Sequence, residues 1–137
     1  MTAGGSQLDV SVVVVSWNTR ELTLACLRSI VREMSSRSLA CEATLVDNGS
    51  NDGTVEAVVA ELPSIRIVSL DENAGFARAA NRGMAESSGR FVLLLNSDAE
   101  LPDGALARLV AILDERAEAG ALGAALVGDS GERQFSC

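Results

Sequence analysis

The chain has 137 residues, of which 47% are hydrophobic and 22% are charged, and its formal net charge is −8. This length and composition are typical of one globular domain and exclude the disordered and fibrous classes. The acidic balance, without a cluster of Lys or Arg, argues against a nucleic-acid partner because phosphate binding needs a basic surface. The sequence contains no histidine, which excludes Ser-His-Asp and Cys-His catalysis and any His-ligated metal within the chain.

The cysteines and the apolar runs indicate where the protein works. Cys26, Cys41 and Cys137 form no CxxC pair, so we interpret them as reduced and structural. The start, MTAGGSQLDV, lacks the basic flank and the apolar core of a secretory signal. The longest apolar runs, VVVV and FVLLL, are far shorter than the roughly 20 residues that cross a bilayer. We therefore expect a cytoplasmic protein without a transmembrane segment.

The first elements in chain order are a strand, a helix and a strand. The run VSVVVVS at 10–16 is almost wholly apolar, as in a central strand covered on both faces. Apolar residues at helical spacing predict a helix over 19–34, with Asn18 and Glu21 forming a start that resembles a capping box. CEATLV at 41–46 predicts the second strand.

The middle of the chain repeats this alternation. The loop DNGSNDG is rich in turn residues and offers Asp52 as the N-cap of a second helix, which Pro63 ends. A short strand is predicted at 65–69. DENAGFARAANRGM at 71–84 then predicts a third helix, and FVLLL at 91–95 the strongest strand.

The last elements complete a predicted α/β fold. NSDAELPDG leads into a fourth helix, whose start is indicated by Pro102 and Asp103. The apolar tract at 121–127 predicts a fifth strand, and 128–137 a turn with an incipient strand. Four alternations of strand and helix with short connections indicate a mostly parallel sheet with helices on both faces, in a single domain over 1–137.

Polar residues follow each predicted strand, at the sheet edge where α/β proteins bind ligands. Carboxylates and amides in these segments favour oxygen-ligand chemistry, in which a divalent cation would help an acidic protein to bind an anion. Neither a G-x-G-x-x-G nor a P-loop sequence occurs, which excludes those nucleotide-binding classes. The segments are Ser16-Trp17-Asn18, Asp47-Asn48-Gly49-Ser50, Asp71-Glu72-Asn73 and Asn96-Ser97-Asp98-Ala99-Glu100.

Four motifs, in order, carry a resemblance: VSVVVVSWN, LVDNGSNDGT, ENAGFARAANRG and LLLNSDAELP. Together they resemble the N-terminal, nucleotide-binding half of family 2 glycosyltransferases, in the rhamnosyltransferase-like branch. The resemblance implies the GT-A fold, which is Rossmann-like, here truncated after about the fifth strand. It also implies an enzyme that transfers a sugar from a UDP- or dTDP-linked donor to an acceptor hydroxyl, usually with inversion, in polysaccharide or cell-envelope glycan synthesis.

The resemblance also implies roles for the residues at the strand ends. The family's D-x-D motif corresponds to Asn96-Ser97-Asp98, so Asp98 is the implied ligand of Mg²⁺ or Mn²⁺, and a role for Glu100 stays open. Asp47 matches the acid that accepts a hydrogen bond from a pyrimidine imide, and Trp17 either lines the base pocket or packs structurally. The residues placed against the donor nucleotide are Ser16, Trp17, Asn18, Asp47, Asn73, Gly75, Arg78, Asn81, Asn96 and Ser97.

Two function classes remain open at this stage. The family carries its general base in a second half, which we expect beyond Cys137. The chain is therefore either part of a glycosyltransferase or a nucleotide-sugar binding module without turnover. A nucleotidyltransferase is disfavoured because SWNTREL is not a Gly-rich basic loop. The sheet edge left open predicts a dimer or a second chain that covers it, and the protein could associate peripherally with the inner membrane face.

Overall fold

Four parallel strands form the central sheet in a computed structural model that describes residues 7–134. Helices pack on both faces of this sheet, which confirms the predicted α/β class. The strands are β1 Val10–Ser16, β2 Cys41–Asp47, β3 Arg66–Ser69 and β4 Phe91–Asn96. They lie side by side in the order β3-β2-β1-β4. The helices are α1 Arg20–Ser35, α2 Thr54–Glu61, α3 Phe76–Ala85 and α4 Ala105–Glu115.

Strand β1 lies at the centre, and all seven of its residues are buried. Its β-branched side chains suit a strand that is covered on both faces. The parallel register pairs Ser16 with Asp47 on β2 and Val15 with Asn96 on β4. The carboxyl ends of these three strands therefore lie side by side at one edge of the sheet, where the sequence predicts the functional residues.

The two faces of the sheet are covered differently. Helices α1, α2 and α4 cover one face and form the larger core with it. Helix α3 covers the other face, where a Cβ atom at Gly83 would lie 2.4 Å from Val13 and 2.8 Å from Val46. Only glycine allows such close packing, so α3 is held directly against the sheet. The larger core contains, among others, Val12, Val14, Leu24, Leu27, Ile30, Leu45, Val58, Leu106 and Val110.

The start of α1 differs from the sequence prediction. Thr19 is the N-cap residue, and its side chain makes no capping hydrogen bond. The start through Asn18 and Glu21 is therefore wrong, because Asn18 uses its side chain to bind the loop that follows β2. The N–H group of Arg20 is capped by the carboxylate of Asp52 instead.

Asp52 also caps α2, as predicted, although the residue at the N-cap position itself is Gly53 with φ 80°. Its Oδ1 atom accepts hydrogen bonds from the N–H and the hydroxyl group of Thr54, at 3.1 and 2.5 Å. One carboxylate thus satisfies donors at the first turns of two helices, since the first N–H groups of a helix have no partner within it.

The predicted fifth strand is largely wrong. Only Leu126–Val127 forms a strand, which pairs antiparallel with Arg133–Gln134 in a separate hairpin of β5 and β6. Residues 121–125 have no regular structure and are exposed. This segment consists of glycine, alanine and one leucine, so it offers little side-chain area to bury against a sheet. The end of the predicted segment 128–137, residues 135–137, lies outside the described residues.

Both outer strands of the sheet, β3 and β4, have an open edge among the described residues, and that of β4 is the late edge that the sequence predicts to be open. Within residues 7–134, β4 pairs with β1 only, so its outer edge has no strand beside it. In the same part of the chain, no helix combines the length and the apolar character needed to cross a bilayer.

Candidate functional site

The loops after β1, β2 and β3 are tied together at the carboxyl edge of the sheet. The N–H group of Asn48 donates to the carbonyl oxygen of Ser16 at 2.8 Å. The N–H group of Leu70 donates to the carbonyl oxygen of Asp47 at 2.9 Å. These bonds extend the parallel pairing by one residue beyond the strands. The backbone that carries the candidate residues is therefore held in place by the sheet.

Asp47 is the most informative residue at this edge, because its side chain is buried at 3% exposure. Its Oδ2 atom accepts a hydrogen bond from the N–H group of Ser50 at 3.0 Å. Its Oδ1 atom is buried and has no hydrogen-bond partner among residues 7–134. A buried carboxylate oxygen without a donor is costly. Oδ1 of Asp47 therefore keeps an unused capacity to accept a hydrogen bond.

Asn48, which the sequence analysis did not single out, connects this loop to the start of α3. Its Nδ2 donates to Oδ1 of Asn73 at 3.0 Å, and its Oδ1 accepts from the N–H group of Ala74 at 2.9 Å. Oδ1 of Asn73 also accepts from the N–H group of Gly75. Asn73 therefore uses its carbonyl group to shape the loop before α3. The signal in the sequence that could have identified Asn48 is an amide directly after the acid that ends β2.

Gly49 is required by the same contact between loops. Its φ is 80°, and a Cβ atom there would lie 2.7 Å from the carbonyl carbon of Glu72. Both the conformation and the close approach exclude other residues. The loop before α3 therefore lies directly against the Asp47 loop.

Four hydroxyl groups join the ends of β1 and β4 to the start of α1. The Ser16 hydroxyl is buried and lies 2.7 Å from that of Thr23 and 3.3 Å from that of Thr19. The Thr19 hydroxyl lies 3.2 Å from that of Ser97. Ser16 is therefore engaged within the protein, and Thr19, directly before α1, holds Ser97 at the start of the loop that carries Asp98.

The loop after β4 presents its polar side chains outward. Asn96, Asp98 and Glu100 are exposed and alternate with residues that are partly buried. The thiol of Cys26 donates to the carbonyl oxygen of Asn96 at 3.6 Å. Burial, and then the charges of Glu100 and Asp98, raise the pKa of Cys26 to about 12. The thiol therefore stays protonated, and both carboxylates lie near enough to influence it.

The implied divalent metal fits this loop. No group of three or more His, Cys, Asp or Glu residues within 7–134 is arranged to hold an ion. Mg²⁺ commonly takes only one or two protein carboxylates and completes its shell with phosphate oxygens and water. The exposed carboxylate of Asp98 meets that requirement, provided that a ligand supplies the remaining oxygens.

Helix α1 anchors the rest of the Asp98 loop. The hydroxyl of Ser29 accepts from the N–H group of Leu101 at 2.9 Å. The buried carboxylate of Glu33 accepts from the N–H groups of Gly104 and Leu106 at 2.8 and 3.0 Å. Sequence reasoning attributed the start of α4 to Pro102 and Asp103 and missed these anchors. Ser29 and Glu33 are four residues apart, so a shared face of α1 is the signal that could have found them.

The loops after β1 and β2 are joined by three further hydrogen bonds. Asn18 donates its N–H group to Oγ of Ser50 and accepts from the N–H group of Asn51 at Oδ1, both at 2.9 Å. Oδ2 of Asp52 accepts from the N–H group of Arg20 at 3.0 Å. We call these residues, Asn18, Arg20 and 50–52, the clasp.

The remaining candidates lie on the surface around the site. Trp17 is 52% exposed at the end of β1, so it is not part of the core. Arg78 and Asn81 are exposed on α3, which begins after Gly75 at φ 86°. Within residues 7–134 neither side chain takes part in a hydrogen bond or ion pair, and Asn81 lies beyond the first turn of α3.

Parallel strands with helices on both faces define the α/β class, in which ligands commonly bind at the carboxyl edge of the sheet. Residues 11–136 match the family model described as glycosyl transferase family 2, and the chain belongs to this family. It is 32% identical over 113 residues to the succinoglycan biosynthesis protein ExoO of Rhizobium meliloti, covering 81% of this chain and 30% of that protein.

A second relative is an N-acetylglucosaminyl-diphospho-decaprenol L-rhamnosyltransferase of Mycobacterium tuberculosis, with 33% identity over 107 residues, 67% of this chain and 35% of that one. A solved structure, the mannosyltransferase PcManGT of Pyrobaculum calidifontis in complex with GDP-Man and Mn²⁺, has a TM-score of 0.70 at 29% identity, covering 80% of this chain and 33% of that one. The fold is thus of the GT-A type, and the chain spans about a third of the length of these proteins.

Proposed function

We propose that this protein takes part in the transfer of a sugar from a nucleotide-diphosphate donor to an acceptor hydroxyl, in polysaccharide or cell-envelope glycan synthesis. The observation that carries the proposal is the buried Oδ1 atom of Asp47, which lacks a donor. Family membership supports it, as do the printed names of the relatives, which include a succinoglycan biosynthesis protein and a rhamnosyltransferase.

The nucleobase is assigned to the Asp47 loop. A carboxylate only accepts hydrogen bonds, so Oδ1 of Asp47 favours a base with an imide N–H group, such as uracil or thymine. The exposed ring of Trp17, at the end of the neighbouring strand, offers a surface on which a base can stack. UDP- and dTDP-linked sugars are therefore the proposed donors.

The diphosphate is assigned to the loop after β4 and the start of α3. Asp98 would hold Mg²⁺ or Mn²⁺, and a cation there supplies charge neutralisation for the leaving diphosphate. Asn96 and Ser97 offer an amide and a hydroxyl for the ribose or a phosphate. Arg78 on the first turn of α3 can bind a phosphate bidentately, and the backbone at Gly75 leaves room for its approach.

The other candidates are assigned supporting roles in the same proposal. Ser16 and Asn73 would shape the site through their hydrogen bonds within the protein, and we assign Asn81, on α3, to the outer rim of the donor site. We further propose that residues 1–137 form a single nucleotide-sugar-binding domain.

The step after donor binding distinguishes two classes of function. An inverting transferase needs a base that deprotonates the acceptor hydroxyl. We assign that role to none of the residues 7–134, and the chain spans about a third of its relatives. The second candidate is therefore a nucleotide-sugar binding module without turnover. A transfer assay with this chain and UDP- or dTDP-sugars separates the classes, since turnover excludes the binding-only function.

The location belongs to the same proposal. We place the protein in the cytoplasm, peripherally at the inner membrane face. The support is the printed name of the mycobacterial relative, which includes a decaprenol diphosphate, a lipid-linked group. Sedimentation of this chain with vesicles that contain a polyprenyl diphosphate checks this part, and recovery only in the supernatant would contradict it.

A titration with UDP and CDP in Mn²⁺ tests the donor site directly. Both ligands carry the same ribose and diphosphate, but cytosine presents an acceptor where uracil presents its imide N–H group. We expect UDP to bind at least about tenfold more tightly, the equivalent of one hydrogen bond to a charged group. Trp17, the only tryptophan in the chain, gives the fluorescence signal, and calorimetry gives an independent one. Equal affinities would contradict the assignment of Asp47.

A further inference from the structure

Asn18 has an unusual backbone conformation next to the candidate site. Its φ is 52°, and among the non-glycine residues of 7–134 only Arg37 shares a positive φ. Asparagine tolerates this left-handed conformation better than most residues. Such conformations concentrate at functional sites, where the surrounding structure holds them in place.

The contacts of Asn18 connect the two proposed base-binding residues. Trp17 directly precedes Asn18 in the chain. The N–H group of Asn18 binds Oγ of Ser50, and the N–H group of Ser50 binds Oδ2 of Asp47. A short path of hydrogen bonds therefore runs from the backbone beside Trp17 to the Asp47 carboxylate. Oδ1 of Asn18 is already occupied by the N–H group of Asn51.

We propose that Asn18 is a positioning residue for nucleotide recognition, which acts through the clasp and does not touch the nucleotide. It fixes the separation between the ring of Trp17 and the carboxylate of Asp47, so that a base can meet both at once. This role rests on the proposed function. Without the clasp, the nucleotide would have to order both loops on binding, and the free energy of that ordering would be lost from affinity.

Three variants separate the contributions of Asn18. Asn18→Gly keeps the left-handed backbone but removes the acceptor for Asn51. Asn18→Asp keeps that acceptor and is the conservative rescue. Arg37→Gly is the matched control, because Arg37 has φ 55° and follows the C-terminal end of α1, away from the site. Both glycine variants replace a side chain at a positive φ, so they share any effect of removing backbone strain. A difference in UDP affinity between them therefore reports the contribution of the Asn18 side chain.

Two measurements test the role of the clasp. Calorimetric titration with UDP and Mn²⁺ is expected to show binding to Asn18→Gly weakened about three- to tenfold, the equivalent of one lost hydrogen bond. The fluorescence anisotropy of Trp17 in the unliganded protein is expected to fall in this variant and to return to the wild-type value in Asn18→Asp. Arg37→Gly should leave both readouts unchanged, and thermal unfolding confirms that each variant is folded.

Each contrary result has its own meaning. Wild-type UDP affinity in Asn18→Gly would overturn the positioning role. Weakened binding with unchanged Trp17 anisotropy would overturn it in favour of direct contact between Asn18 and the nucleotide. If the wild-type chain binds no nucleotide, the proposed function fails and this role fails with it. That outcome is distinct from a wild type that binds and a variant that matches it.

Discussion

The carboxylate of Glu33 on α1 accepts a hydrogen bond from the backbone N–H group of Leu106 at the start of α4. The same carboxylate accepts from Gly104, so one buried acid on the first helix satisfies two donors of the fourth. The first N–H groups of a helix otherwise need a local cap, and α4 has no side-chain cap of its own. The Asp98 loop is therefore held between β4 and a helix start that α1 fixes.

Removing this cap should destabilise the protein. Glu33→Ala leaves the buried N–H group of Leu106 without an acceptor, at a cost of about 1 to 3 kcal/mol, and also removes the acceptor of the more exposed Gly104. Urea unfolding should show the loss, whereas Glu33→Gln, which keeps one acceptor oxygen, should lose less. Glu21→Ala is the matched control, because Glu21 is an exposed glutamate on the same helix. An unfolding free energy for Glu33→Ala equal to that of the control would show that Glu33 does not act as a cap.

Asp47 should be needed for binding more than for folding. Asp47→Asn keeps an acceptor for Ser50 but directs an amide donor at the position where the ligand donor is expected. Two facing donors repel, so we expect UDP affinity to fall roughly ten- to a hundredfold, the equivalent of about 1.5 to 3 kcal/mol. The melting temperature should change little, since one buried polar group without a partner replaces another. Unchanged UDP affinity in this variant would refute the nucleobase assignment.

Asp98 should account for any effect of the metal on nucleotide affinity. In the wild type we expect UDP to bind more tightly with Mn²⁺ than with a chelator, and in Asp98→Ala the two titrations should coincide. Glu100→Ala is the matched control from the same loop, and it also decides the role that the sequence leaves open for Glu100. If Asp98→Ala keeps the Mn²⁺ effect and Glu100→Ala loses it, the metal ligand is Glu100.

The double cap by Asp52 should make stability depend on pH in the acid range. Its hydrogen bond to the Thr54 hydroxyl, followed by its bonds to the N–H groups of Arg20 and Thr54, lowers the pKa of Asp52 below its ordinary value of 3.8. A lowered pKa in the folded state means that the charged form stabilises the fold. This contribution is complete above about pH 4 to 5 and is lost as the pH falls through the folded-state pKa.

The variant Asp52→Asn isolates this contribution. Its unfolding free energy should be lower than that of the wild type at pH 7, and the difference should shrink below pH 4 because the Asp52 carboxyl becomes neutral in the wild type. Urea unfolding at pH 3, 4, 5 and 7 gives the comparison. A difference that is constant over this range would show that the charge of Asp52 is not what stabilises the two helix starts.

The sequence predicts the elements well because their signals are local. The apolar run at 10–16 predicts both ends of β1 correctly. The run at 41–46 predicts β2, and its end places Asp47 at the edge of the sheet. The contacts of Asn18 and Glu33 could not be predicted, since each joins residues that are far apart in sequence. The prediction of a sheet strand at 121–127 fails because apolar composition does not say whether a partner strand lies within reach.

The open edge of β4 should let this chain associate with itself. Beside this edge, Val92 and Leu94 are 43% and 39% exposed on the same face of the sheet as α3, at the part of that face that α3 does not cover. Unpaired strand edges with apolar side chains are templates for pairing with another chain. Sedimentation velocity at several concentrations should show a growing dimer fraction, and Leu94→Lys should reduce it by placing a charge beside the edge. Arg108→Lys, a substitution at an exposed position of α4, is the control and should leave association unchanged. A wild-type protein that is monomeric at every concentration would refute pairing through this edge.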